Sequence, residues 1–167
     1  MTTHTEKQLD HALNHAFIER PEFTRWFLSK TKFFAEDAKY IWSRANHPWG
    51  KVKLEVLNTV TGATEVVQRE SETDVLVVFE VSPTRRIALH IENKLKARFT
   101  YLQPEFYAAR AEAWKCNPKY ENYEDWETVL VAPQYFYDRH SKDAAKFGRF
   151  ISHEELATFI PEFSVSP

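Results

Sequence analysis

Glycine is scarce in this chain, at 3 of 167 residues. There is no G-x-G-x-x-G or Walker-type run, which excludes a phosphate loop of the glycine-rich kind. The single cysteine, Cys116, rules out an internal disulfide and a cysteine-based zinc site. No apolar run approaches the roughly 20 residues that span a bilayer. Met1 to Asp10 is polar and carries no apolar signal core. A cytoplasmic protein without membrane contact is therefore expected. An excess of positive charge is also missing: 22 Lys and Arg stand against 24 Asp and Glu, a net charge of −2. That balance excludes a protein that coats nucleic acid by charge alone. It leaves room for an enzyme that grips a few phosphates locally.

What the chain has is apolar and aromatic content, 43% and 15%. Its length suits one folded domain with a real core, taken as residues 1–167. Thr5 and Gln8 form a capping box, and Leu9, Ala12, Leu13, Ala16 and Phe17 follow at helical spacing. Pro21 opens a second helix with Phe23, Trp26 and Phe27 on its apolar face. Phe33, Phe34, Ala38, Ile41 and Trp42 predict a third, so residues 1–46 read as a helical part.

The period then changes. Val52, Leu54 and Val56 alternate with polar residues, as in a strand, and Thr61-Gly62 marks a turn before Val66-Val67. Thr73 to Val81 is apolar at nearly every position, as a central strand covered on both faces would be. Ser82-Pro83-Thr84 turns the chain into a further strand, Arg86 to Lys94. Pro104 suits a helix start, and that helix runs to about Cys116. Thr128 to Ala132 is a short buried strand, completing a core over 50–132. Residues 133–167 are mainly helical, with a brief strand at Phe150-Ile151 and a capping box at Ser152 to Glu155 that opens a last helix through Ile160. The expected fold is a mixed α/β (α+β) one, a central mixed sheet flanked by helices.

Charged residues sit at the ends of the two long apolar strands. Glu92 and Lys94 are two apart and share a face. Counting back from the turn at Pro83 brings Asp74 near the level of Glu92. Two carboxylates and a lysine then converge at one sheet edge. Paired carboxylates with waters and a phosphate oxygen are a usual cradle for Mg²⁺. Such an ion stabilises charge on a scissile phosphate and lowers the pKa of bound water, and a nearby lysine can orient that water. Burying charges there without purpose would be costly. The run from 85 to 98 adds Arg85, Arg86, Lys96 and Arg98, candidate phosphate contacts.

Asp74, followed by Glu92-Asn93-Lys94 on the next strand, resembles the PD-(D/E)XK nuclease superfamily. Gln103 and Tyr107 at the start of the next helix match a Q-x-x-x-Y-like pattern that many members carry. Thr73 stands where the family name has proline, a variable position. The resemblance implies a restriction-endonuclease-like αβββαβ core and a Mg²⁺-dependent deoxyribonuclease, with Mn²⁺ as a substitute ion. It implies Asp74 and Glu92 as metal ligands, Lys94 serving the water and Gln103 in support. Members often add an acid from an N-terminal helix, for which Glu22 is the candidate and Glu19 the reserve. DNA is the implied substrate, ahead of RNA. Many such nucleases act as dimers or beside a motor partner, which leaves a homodimer or a partner protein open. The alternative is a nuclease-fold protein without activity, kept as an interaction module.

Other groups carry less. His11 and His15 have metal-ligand spacing on a helix but no accompanying H-E-x-x-H, so a plain helix face is expected. His90 shares the face of Glu92. Glu70 and Glu72 share the face of Asp74 and are read as an exposed strand face. Trp114, Tyr120, Tyr123 and Trp126 surround a polar loop and are read mainly as core.

Overall fold

The computed structural model describes residues 3–164. Helix α1 spans Glu6–Glu19 and begins in the expected capping box. Thr5 Oγ1 accepts from the Gln8 N–H, and Gln8 Oε1 accepts from the Thr5 N–H. Its stripe of Leu9, Leu13, Ala16 and Phe17 is buried, and so is Asp10. Helix α2, Pro21–Ser29, starts on Pro21 and buries Phe23 and Phe27. Phe17, Phe23 and Phe27 meet edge to face or tilted at centroid distances of 5.0–5.8 Å, the arrangement that aromatic quadrupoles favour.

The third helix expected before residue 46 is instead strand β1, Lys39–Arg44, which pairs antiparallel with β4, Val75–Ser82. The apolar residues at 33, 38, 41 and 42 fit a helical period. However, Tyr40, Ile41 and Trp42 are strand formers, and the open edge of β4 supplies the pairing that decides the matter. The 52–57 and 66–67 segments form a separate two-stranded hairpin, β2 (Trp49–Leu57) with β3 (Thr64–Glu72), outside the central sheet. Gly62 at its turn takes a φ of 72°, which suits glycine. At its other end Gly50 lies against the Trp114 indole, where a Cβ would come within 3.2 Å of the ring.

The central sheet has the order β1-β4-β5-β6-β7. Strand β5 is Arg85–Asn93, β6 is Asp125–Ala132 and β7 is Arg149–Ser152. The β1/β4 and β4/β5 pairs are antiparallel, while β5/β6 and β6/β7 are parallel. Helix α3, Gln103–Trp114, makes the crossover from β5 to β6. Helices α4 (Gln134–Arg139) and α5 (Ser141–Ala144) connect β6 to β7. The mixed sheet flanked by helices is as expected.

Val75 to Phe79 are fully buried, because β4 has a core on each side. Val75, Val77 and Phe79 face α1 and α2, while Leu76 and Val78 pack with Trp114, Tyr120 and Tyr123. Helix α6 keeps the predicted capping box at Ser152 and Glu155 but is only His153–Leu156. The chain then turns into a short 3-10 segment at Pro161–Phe163. None of the helices among the described residues is long and apolar enough to cross a membrane.

Candidate metal centre

The β4/β5 register sets the first part of the site. Val75 lies opposite Ile91, so Asp74 and Glu92 leave the sheet side by side. Asp74 Oδ2 accepts the Asn93 N–H at 2.8 Å, and the Asp74 N–H donates to Tyr107 Oη at 3.1 Å. Gln103 Nε2 donates to Glu92 Oε1 at 2.9 Å. Lys94 Nζ lies 3.1 Å from the same oxygen. Asp74, Glu92 and Lys94 are all buried. The structure therefore brings together the two strand acids, the lysine and the helix glutamine.

Two further residues join them. Asp10 of α1, fully buried, receives Asn93 Nδ2 at 2.9 Å on Oδ1 and faces His47 Nε2 at 3.0 Å through Oδ2. His47, in the β1–β2 connection, points Nδ1 at Glu72 Oε1 (3.0 Å) and at Asp74 Oδ1 (3.7 Å). It holds a left-handed φ of 52°, a conformation uncommon outside glycine. Asp10, His47 and Asp74 each offer a ligand atom, and these atoms lie within 4.8 Å of one another. This buried group can hold a metal ion.

The electrostatics fit that use. Burial, then the nearby Asp10 charge, raises the Asp74 carboxyl to about 7. Burial raises Asp10 to about 6 against the bonds from Asn93 and His47. Burial, then Asp74, raises Glu92 to about 8 even beside Lys94. For His47, burial opposes the charge but is outweighed by Glu72, Asp74 and Asp10, so its pKa is raised. Three carboxylates are thus crowded together and partly protonated, a state that a bound cation would relieve.

The helix acid at the centre is Asp10, not Glu22. Glu22 is exposed on α2 and paired with Arg20 at 3.1 Å. Glu19 ends α1, about 13 Å along the axis from Asp10. Asp10 had left a signal: it shares a stripe with Leu13 and Phe17, three and seven residues on, where a lone charge would be buried. His47 left none, because only the fold brings a loop residue to a helix acid. Arg85 and Arg86 stand at the far end of β5, about 20 Å from Glu92. They are engaged by Glu36 at 2.9 Å and Glu121 at 3.2 Å, so they are structural ion pairs away from the centre. Lys96 and Arg98 are exposed on the loop that follows Lys94.

No family model, curated protein or solved structure matches this chain. The reading of the centre therefore rests on its own chemistry.

His90 is tied into the layer behind the centre, to Thr73 Oγ1 and to Tyr123 Oη, each at 3.0 Å. Arg110, also fully buried, donates to Thr73 Oγ1, Ser71 Oγ and the Glu72 carbonyl. It thereby clamps the segment leading into Asp74 onto α3. His153 of α6 reaches Asn93 Oδ1 with Nε2 at 2.8 Å, and Asn93 passes the contact on to Asp10. Burial lowers the His153 pKa to about 4, so the ring is neutral and Nε2–H is the donor. His11 and His15 are exposed on α1, as a plain helix face. Trp114 stacks on Tyr120 at 4.3 Å within the core.

Proposed function

We propose that this chain is a divalent-metal-dependent phosphodiesterase that cleaves DNA. The observation that carries the reading is the buried Lys94–Glu92 pair directly beside the Asp10–His47–Asp74 group. Lysine and glutamate are rarely buried without purpose, and here the pair adjoins Asp74, whose carboxyl, like that of Glu92 itself, has a raised pKa. The resemblance of Asp74, Glu92-Asn93-Lys94 and Gln103 to the PD-(D/E)XK nucleases supports the same reading.

Asp10, Asp74 and Glu92 would hold the ion, with His47 either as a nitrogen ligand or as a cation paired to the acids. When bound, the ion supplies Lewis-acid stabilisation of the phosphate and a more acidic water. Oxygen donors suit Mg²⁺, and the imidazole widens the choice toward Mn²⁺. Lys94 stands where it can orient an attacking water and offset negative charge building on phosphorus. Gln103 fixes the Glu92 carboxylate, and Tyr107 holds the backbone of Asp74. Lys96 and Arg98, exposed beside Lys94, are placed to meet flanking phosphates.

The test is a cleavage assay on plasmid and linear DNA with Mg²⁺ or Mn²⁺, run beside Glu92→Ala and Lys94→Ala. Metal-dependent nicking lost in both variants is the expected result. No cleavage of DNA or RNA under any divalent ion, or variants as active as wild type, would overturn it.

A further inference from the structure

A cleft of about 530 Å³ opens directly onto His47, and its makeup points to a ligand. Arg44 and Lys119 bring positive charge, and Trp42, Trp49 and Tyr120 bring aromatic rings. No carboxylate lines it. Neither Arg44 nor Lys119 forms an ion pair among the described residues, so both charges are available to a ligand. The Arg44 guanidinium lies 4.7 Å from the Trp42 ring centre, held by the indole face instead of an acid.

Trp49 is the second observation. Its side chain is left 62% exposed two residues from His47. Most of the indole surface is therefore open to a ligand. It also lines a second cleft, about 620 Å³, which reaches Gln103 and Tyr107. The indole thus stands between two clefts that flank the metal group.

We infer that the Arg44–Trp49–Lys119 cleft is a subsite for an unpaired nucleotide next to the scissile phosphate, so that the substrate is single-stranded at the cut. The inference rests on the phosphodiesterase reading for the identity of the scissile bond. Arg44 and Lys119 meet phosphate oxygens, and the Trp49 indole stacks on a base. Stacking on a side chain needs a free base face, which a base within a duplex already uses on its neighbours. The cleft volume, about 530 Å³, is that of a small-molecule site.

The experiment measures binding of the full chain to fluorescent oligonucleotides by anisotropy in EDTA, so that cleavage plays no part. The probes are a single strand, its duplex and a single strand of abasic nucleotides. The single strand is expected to bind at least tenfold tighter than the duplex and several-fold tighter than the abasic strand. Trp49→Ala and Arg44→Ala are each expected to weaken single-strand binding about tenfold, with unchanged melting temperatures. Phe34→Ala, an exposed aromatic away from the cleft, should bind as wild type. Equal binding of duplex, equal binding of the abasic strand, or an unaffected Trp49→Ala would each overturn the subsite. Equal competition by a phosphorylated peptide would overturn it too. Lys94-dependent cutting of duplex in preference to single strands would sink this inference and leave the nuclease reading standing. Trp49-dependent single-strand binding without any cleavage would overturn the nuclease reading and leave the cleft as a single-strand binding site.

Discussion

His47 Nε2 lies 3.0 Å from Asp10 Oδ2, joining the β1–β2 connection to α1 across 37 residues of sequence. The contact turns a pair of strand acids into a centre closed on three sides. It also makes the first prediction. Asp10→Ala, His47→Ala and Asp74→Ala should each weaken Mn²⁺ binding, the two aspartates by about 100-fold or more and the histidine by less. Calorimetry on the full chain reads this directly. Wild-type affinity in Asp10→Ala would remove the helix acid from the centre.

Metal binding should strengthen as pH rises from 6 to 8. Asp10, Asp74 and Glu92 keep protons to about 6, 7 and 8 in the metal-free protein. Protons therefore compete with the ion at the lower end of that range, and the ion displaces them. Calorimetry in buffers of different ionisation enthalpy should show proton release at pH 6.5 and little at pH 8.5. A pH-independent affinity would contradict the crowding of these acids.

The same displacement sets a stability effect of definite sign. Asp74 ionises near the usual 3.8 when unfolded and near 7 when folded. Its contribution is fully present below pH 4 and is lost as pH rises through 7. Asp74→Asn keeps an acceptor for the Asn93 N–H. The metal-free variant should melt several degrees higher than wild type at pH 8.5, with a clearly smaller gap at pH 5, where only part of the contribution has been lost. Thermal melts in EDTA at the two pH values test this.

Lys94→Met should keep metal binding within a few-fold of wild type and lower turnover by about 100-fold or more, since the ammonium acts on water and phosphate. Mn²⁺ calorimetry beside the cleavage assay separates the two effects. A parallel loss of both would make Lys94 only a structural partner of Glu92.

His153 acts at one remove, through Asn93, on Asp10. His153→Ala should weaken Mn²⁺ binding about tenfold, and His153→Gln, which can still donate, should recover part of it. The ring also fixes an acid limit. Its pKa falls from about 6.5 unfolded to about 4 folded, so its stability contribution holds above 6.5 and is lost as pH falls through 4. At most about 3 kcal/mol is involved. Denaturant melts at pH 7 and pH 4.5 should show a smaller acid loss in His153→Gln than in wild type.

Some of this was legible in the chain because it is local. The turn at Pro83 and the period of two place Asp74 near Glu92 by counting, while the final register, with Val75 opposite Ile91, depends on a bulge between Glu80 and Ser82 that the sequence did not reveal. The capping boxes at Thr5 and Ser152 were legible for the same reason, since each is closed within four residues. Strand β1 was not legible. Its apolar spacing fits a helix, and only the open edge of β4 makes it a strand. Nor was the fate of Arg85 and Arg86, whose partners Glu36 and Glu121 arrive from distant segments.

By itself, then, the sequence determined the two acids and the lysine at one strand end, through the period of the backbone and the reach of one hairpin. Tertiary structure alone decided that Asp10 and His47 complete the centre and that His153 steadies it. Those residues come from a helix, a loop and the last short helix. No periodicity links them, and packing of α1 and α6 against the strand ends is what brings their side chains within bonding distance.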